Sequence, residues 1–499
     1  MKLQFDKTVC KYLNTVAREV REQEQTQEVK LPDGLPDIGT IIGAWGQVVL
    51  RSKEWRSSGM QVSGGVMAWV LYAPEDGSDP RHIETWIPFQ LKWDFPDTDQ
   101  EGTIRVSAML RSMDARTVSA RKMMLRAGIW AVGEALVPGE TAVFLPKEVP
   151  EGMEMLRRTY PTRLPVEAGE KNFLVDEELT LPGSVPALER LVRYDVLPEL
   201  LDSKVMAGRL VFRGTVHLHI LYRGDNGQLQ SWDFEIPFSQ FTELDRDYDQ
   251  DAEASVVPAV TNLELEATED GTIHLKCGAI AQYVILDQVL LKLVEDAYSI
   301  HRSVTPQVQE LVLPAVLEDR KEILHGEQTI PVSGNRIVDV SFLPACPDQS
   351  REPGQVTITG SGSFRVLYYD EDGSLQSATA GWEAPWTVPV AEESRLHLAV
   401  RPSGRPQVST NGGNMTAKGD LTLCLQTVAE KGLSMVTELE VGEPIQPDPE
   451  RPSLILRRVG EEPLWDIAKK SGSTVEAIRQ ANHLQEEPEF GQLLLIPVS

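Results

Sequence analysis

The chain repeats itself, and a unit copied in tandem must either close its own core or share one with its neighbours. LPDGLPD at 31–37 falls without a gap on LPGSVPA at 181–187, and in that register Gly64 meets Gly214, Leu71-Tyr72 meets Leu221-Tyr222 and Gly77 meets Gly227. One residue is then lost, and Ile87-Pro88-Phe89 aligns with Ile236-Pro237-Phe238. In a third copy DNGQLQS at 225–231 recurs as EDGSLQS at 371–377, preceded by Leu367-Tyr368 and Gly360. Its opening is reduced to Thr329-Ile330-Pro331 set against Thr180-Leu181-Pro182. The spacing near 150 is that of an ordinary domain.

Each copy carries a strand pattern. In GTVHLHILY at 214–222, Val216, Leu218 and Ile220 alternate with Thr215, His217 and His219, so one face meets a core and the other does not. Asp225-Asn226-Gly227 then tolerates the positive φ of a tight hairpin. Val66, Ala68 and Val70 in the first copy, and Gly362, Phe364 and Val366 in the third, repeat the pattern and end at an inward tyrosine. Many short alternating runs joined by turns predict antiparallel sandwiches rather than α/β layers. Over 17–31, helix-favouring composition competes with strand alternation in the second copy's GEKNFLVDEELTL, and an extended second half is expected.

Prolines place linkers around 146–170 and 303–320, and GEPIQPDPERP at 442–452 reads as an extended spacer. The predicted domains are a first repeat with an N-terminal extension at 1–148, a second at 149–305, a third at 306–445 and a small module at 446–499. The formal charge of −27 opposes binding to phosphate backbones and anionic lipid surfaces. The N-terminus has no apolar signal-peptide core, and no apolar run approaches the roughly 20 residues of a membrane span. The expectation is a cytoplasmic protein that binds no nucleic acid and inserts in no membrane. Cys10, Cys277, Cys346 and Cys424 are scattered without a CxxC pair and read as reduced thiols.

Residues 453–497 read as β, α, α, β. SLILR and LLLIP are the strands, Gly472 ends the first helix, Ser473 to Glu476 forms a capping box, and Asn482 ends the second helix. Leu464-Trp465, Ile467-Ala468, Ala481-Asn482 and Ile496-Pro497 closely resemble the LysM family over about 45 residues. The resemblance implies a groove for N-acetylglucosamine glycan or, here, a protein. Its candidate residues are Gly460, Glu461, Glu462, Pro463, Leu464, Asn482, His483, Leu484, Ile496 and Pro497. The family's Gly-Asp-Thr turn is replaced by Glu461-Glu462-Pro463, a bulkier acidic wall that counts against glycan. Trp465, at helical spacing, is expected in the core rather than under a sugar.

With VKLPDGLPDIGTIIGAWGQVVLRSKEW at 29–55 and DARTVSARKMMLRAG at 114–128, nearly the whole chain resembles spore-coat morphogenetic proteins that combine SPOCS domains with a C-terminal LysM module. The resemblance implies a mainly β fold of three tandem antiparallel β-sandwich-like SPOCS repeats and a small βααβ LysM module. It also implies a scaffold in the mother cell, at the forespore surface or in the spore coat, docked through LysM to the coat basement-layer ATPase, stage IV sporulation protein A. Peptidoglycan binding is the alternative. Strand edges are candidates for self-association.

His217 and His219 share a strand face, but Met67 and Trp69, and Ser363 and Arg365, stand there in the other copies. That variation predicts solvent-facing histidines rather than a metal pair. Asp370-Glu371-Asp372-Gly373 reads as a hairpin turn, not a calcium loop. There is no phosphate loop, Gly-x-Ser-x-Gly elbow, HExxH or Cys-His cluster, so no catalytic residue, cofactor or metal is expected and the chain reads as no enzyme. A wall hydrolase would need convergent carboxylates in a cleft. The first copy holds six of ten tryptophans and the run MLRSMDARTVSARKMMLRAG, which makes Trp69, Arg116 and Arg121 a candidate partner surface. Against it, the tryptophans fill a core and the arginines line a solvated face.

Overall fold

The computed structural model describes residues 2–268, 270–332, 336–411, 414–446 and 452–498. The chain is mainly β, with two short helices near its C-terminus, in agreement with the sequence pattern. The first repeat comprises β1 (Phe5–Lys30), β2 (Ile38–Arg56), β3 (Gly59–Pro74), β4 (Arg81–Asp94), β5 (Thr103–Ser119) and β6 (Lys122–Pro146). They form two antiparallel sheets, β1-β6-β5 and β2-β3-β4, with the apolar core between them.

The second repeat has β7 (Met153–Thr180), β8 (Leu188–Gly224), β9 (Leu229–Tyr248), β10 (Glu253–Ala267) and β11 (Thr272–Ser299). Its sheets are β7-β11-β10 and β8-β9. The long β8 joins the counterparts of β2 and β3, and Ala207 with φ 52 stands where residues 57 and 58 separate those strands. The third repeat has β12 (Arg302–Ile330), β13 (Arg336–Pro344), β14 (Asp348–Glu352), β15 (Gln355–Tyr369), β16 (Leu375–Pro389), β17 (Ser394–Asn411) and β18 (Asn414–Pro444). The order β12-β18-β17 recurs, and β15 pairs with β13, β14 and β16.

The repeated residues have repeated jobs. Gly77, Gly227 and Gly373 sit at φ 74, 76 and 77 in equivalent hairpin turns, a left-handed conformation that costs glycine nothing. At Gly64 and Gly214 a Cβ would run into the carbonyl oxygens of Val49 and Glu199, so neighbouring backbone approaches closely there. The inward Tyr72 and Tyr222 hydroxyls donate to the carbonyls of Pro36 and Pro186, 2.9 and 3.2 Å away, fastening the LPDGLPD and LPGSVPA loops.

Of the prolines that suggested linkers, Pro150 does lie in the connection 147–152 between β6 and β7, but the others do not mark linkers. Pro161 and Pro165 lie in β7, and Pro306 and Pro314 in β12, each an edge strand with a ladder on one side only. An edge position tolerates the missing N–H. Of the region 17–31, residues 17–30 are strand, all within β1. Residues 447–451 of the expected spacer at 442–452 lie outside the described residues, and its first part continues β18 to Pro444.

The repeats close on one another. At one end, the paired positions Leu71, Leu221 and Leu367 meet in a single apolar cluster with Val192 and Val338. At the other, the far ends of the long antiparallel pairs β1/β6, β7/β11 and β12/β18 pack together through Leu145, Val143, Leu164, Leu293, Leu313 and Met435. The β19 (Leu454–Arg458), α1 (Leu464–Ser471), α2 (Val475–Asn482) and β20 (Leu493–Pro497) module rests on that second end, against Tyr298 and Ile300.

Candidate functional site

The face that varies between copies is an interface. On β3, Trp69 is 2% exposed; its ring meets Tyr194 edge-on at 5.0 Å and its indole N–H donates to Glu84 Oε2 at 3.0 Å. The first repeat thus leans on the second. On β8, His219 is also 2% exposed and sits between Asp233 (Nδ1 to Oδ1, 2.7 Å) and Asp339 of the third repeat (Nε2 to Oδ1, 2.9 Å). On β15, Arg365 donates to Ala44 O and Met113 O and lies 5.7 Å from the centre of the Trp45 ring, so the third repeat returns to the first. Three head-to-tail contacts close a ring within one chain.

The solvent-facing reading of His217 and His219 is therefore corrected. His217 Nε2 lies 3.0 Å from Glu199 Oε2, and both histidines are occupied by carboxylates across or beside the interface between repeats two and three. Variation at these positions reflects three different neighbours rather than free solvent. Arg193 joins the network, donating to Asp339 Oδ2 at 2.8 Å and to Asp195 Oδ1 at 2.9 Å, while Arg405 lies 3.3 Å from Asp195 and 3.2 Å from Asp233. Burial opposes ionisation of Asp195 and Asp339, yet Arg193 with Arg405 at the first, and His219 with Arg193 at the second, hold both carboxyls below the usual range.

Trp69, a candidate for a partner surface, is thus used up inside the ring, in keeping with the contrary reading that the tryptophans fill a core. Arg121 is engaged too: it donates to Leu35 O (3.0 Å), Pro32 O (2.8 Å) and Asp37 (2.8 Å), clamping the LPDGLPD loop. Arg116 alone of the three is exposed. Trp45, Trp93 and Trp130 are buried, and the Trp130 indole donates to Pro344 O across the interface between repeats one and three at 3.2 Å.

Histidines set a pH signature. Burial, with Arg190, lowers His82 to about 4; burial, with Arg18, lowers His397 to about 4. At His219 burial also opposes the charge, but Asp339 and Asp233 outweigh it and raise the pKa above 6.5. Below pH 6.5 the unfolded chain takes up protons that folded His82 and His397 refuse, so stability falls from there to about 4. The loss is on the order of 3 kcal/mol for each. The His219 contribution is full below 6.5 and lost as pH rises through its higher folded value. Urea midpoints across pH 4–8 should show that alkaline-side decline in the wild type and not in His219→Gln.

In the C-terminal module the groove residues divide by role. Glu462 is held by Arg457 and by Lys470 at 2.9 Å, which keeps the acidic wall in place. Asn482 reaches β20: its amide donates to Leu495 O at 2.6 Å and accepts from Leu495 N at 2.7 Å, so its task is structural. The left-handed terminator is His483, φ 57, one residue beyond the expected Asn482. The N-cap of α2 is likewise Thr474, accepting from Ala477 N at 3.0 Å, not Ser473. Leu464 and Ile496 belong to the core, while Glu461, Pro463 and His483 are exposed and Gly460, Leu484 and Pro497 half-buried. These three exposed residues and the half-buried Gly460 leave an accessible rim.

Trp465 is neither wholly core nor a sugar platform. It meets Tyr298 edge-on at 4.9 Å and donates to Asp296 Oδ2 at 2.9 Å; Lys469 reaches the same carboxylate at 2.7 Å, and the Tyr298 hydroxyl donates to Ser473 O at 2.9 Å. These contacts seat the module on β11. Its opposite side, the outer face of the β19–β20 hairpin, is apolar and open: Leu454 is 50%, Leu456 63% and Leu493 53% exposed, with Phe490 at 79% beside them.

Comparison with known families agrees with this anatomy. Residues 188–268, the segment from β8 to the turn after β10, match the family model described as SipL, SPOCS domain. Residues 461–497 match the LysM domain. The chain therefore carries a segment similar to SPOCS domains inside the ring and a LysM-like module seated on it. No curated protein and no solved structure matches the chain. Among the described residues no helix is long and apolar enough to cross a membrane.

Proposed function

We propose that this protein is a non-catalytic scaffold of endospore coat assembly, acting in the mother cell at the forespore surface. It docks through its C-terminal module to the ATPase of the coat basement layer. The SPOCS and LysM matches support the sporulation setting. The observation that carries the docking reading is the open face of the β19–β20 hairpin. Directly opposed pairs Leu454↔Pro497, Leu456↔Leu495 and Arg458↔Leu493 share that side, while Ile455↔Ile496 faces the helices. An apolar face with a basic margin suits a protein better than a hydroxyl-rich glycan.

The test uses the full chain and purified coat ATPase. Leu456→Glu changes an exposed side chain, so the fold should persist while ATPase affinity falls by about tenfold or more, roughly 1.4 kcal/mol. Unchanged affinity measured by surface plasmon resonance would remove this face from the interface. The LysM match favours a second reading, peptidoglycan binding at the rim of Glu461, Pro463 and His483. It predicts that the chain pellets with purified sacculi and that Leu456→Glu leaves pelleting intact.

A further inference from the structure

The ring encloses chemistry that a scaffold does not require. The free edges of the outer sheets, β5, β10 and β17, turn inward and line a cavity of about 470 Å³ and an adjoining one of about 220 Å³. Part of this interior is tied up by direct contacts. Gln282 of the second repeat bonds the edge of β5 at both Val106 N (2.9 Å) and Val106 O (2.8 Å). Arg18 and Arg105 share Glu134, 4% exposed, whose carboxyl they hold at about 2 against the opposing effect of burial.

Arg401 is different. It lines both cavities, no carboxylate lies within ion-pair distance of it among the described residues, and its inaccessible Nε has no acceptor. Its neighbour across the ladder is Thr422. His397, on the same face of β17, also has an unpartnered ring nitrogen, Nδ1. The fold does not call for an arginine here. The hairpin pairs Arg105↔Glu134, Ser255↔Val284 and His397↔Gln426 occupy matching places, and four residues on, the pairs are Met109↔Trp130, Ala259↔Ile280 and Arg401↔Thr422. Two repeats put an apolar side chain where the third sets a half-buried cation with an inaccessible, unpartnered Nε. A partly desolvated charge without a partner is costly, and an anion is what relieves it.

We infer that the cavity at the centre of the ring binds a small oxyanion, a carboxylate or phosphate compound, with the Arg401 guanidinium as its anchor. The larger cavity falls in the range of small-molecule sites. Its mouth is open to solvent between Leu201, 67% exposed, and the exposed Lys321. A planar guanidinium grips either kind of group through paired N–H donors. The inference concerns the interior of the ring and stands apart from the docking role of the C-terminal module.

Inorganic phosphate and succinate, titrated calorimetrically into the full chain at constant ionic strength, are the probes. At least one should bind the wild type, and Arg401→Met, which copies the side chain at Met109, should weaken that binding at least tenfold without lowering the thermal midpoint in plain buffer. Cys424, which lines the same cavity, gives an independent readout in the unaltered protein: saturation with the bound anion should slow its alkylation, followed by peptide mass. Failure of both anions to bind, equal binding by Arg401→Met, or an unchanged Cys424 rate at saturation would overturn the assignment.

Discussion

Replacing Asp339 by alanine should cost about 3–5 kcal/mol of stability, among the largest losses open to a single substitution in this chain. The carboxylate is buried at 4% exposure and faces two cations, Arg193 and His219, from the neighbouring repeat. Removing it strips each cation of one of its two carboxylates, leaving Arg193 with Asp195 and His219 with Asp233 in a desolvated interface short of negative charge. The pair itself need not be strongly stabilising: Asp339→Leu combined with Arg193→Met should recover much of the loss, because an apolar pair replaces a desolvated ionic one. Chemical denaturation of the four proteins of that cycle separates the two effects. A loss below about 1 kcal/mol in Asp339→Ala would mean the network contributes little to closure.

Trp69→Ala should be comparably damaging, about 3–5 kcal/mol, for a different reason. The indole fills the contact between repeats one and two and satisfies Glu84. Burial raises the Glu84 pKa, and the indole N–H works against that shift. Trp69→Phe keeps most of the ring and drops only the N–H, so its cost should be about 1–2 kcal/mol. If phenylalanine were as harmful as alanine, the hydrogen bond rather than the packing would dominate. Either variant should loosen the ring at one junction, and limited proteolysis should then find sites near that junction first.

The hairpins were legible because one face of each is constrained by its own repeat. Val216, Leu218 and Ile220 are all buried inside the second sandwich, as their alternation requires. The opposite face was misread because a residue such as His219 answers to Asp339, 120 positions away in sequence and in another repeat. Nothing local encodes that partner. The long, polar or aromatic side chains at Trp69, His219 and Arg365 were the available signal, since a strand face meant for water needs no tryptophan. The proline-rich stretches misled for a related reason: a proline marks an interrupted ladder, and an edge strand such as β7 lacks one ladder anyway. In the C-terminal module, local turn chemistry placed both helices to within a residue, whereas the seat of Trp465 on Asp296 and Tyr298 depends on residues some 170 positions earlier.

A ring of three identical subunits would have to repeat every interior side chain three times. An arginine at the Arg401 position would then bring three like charges around one axis, where low dielectric strengthens their repulsion. Because the three repeats share one polypeptide, the same position holds Met109, Ala259 and a single Arg401. Covalent fusion thus frees the centre of the assembly from symmetry, and one copy can specialise while its sisters keep the walls.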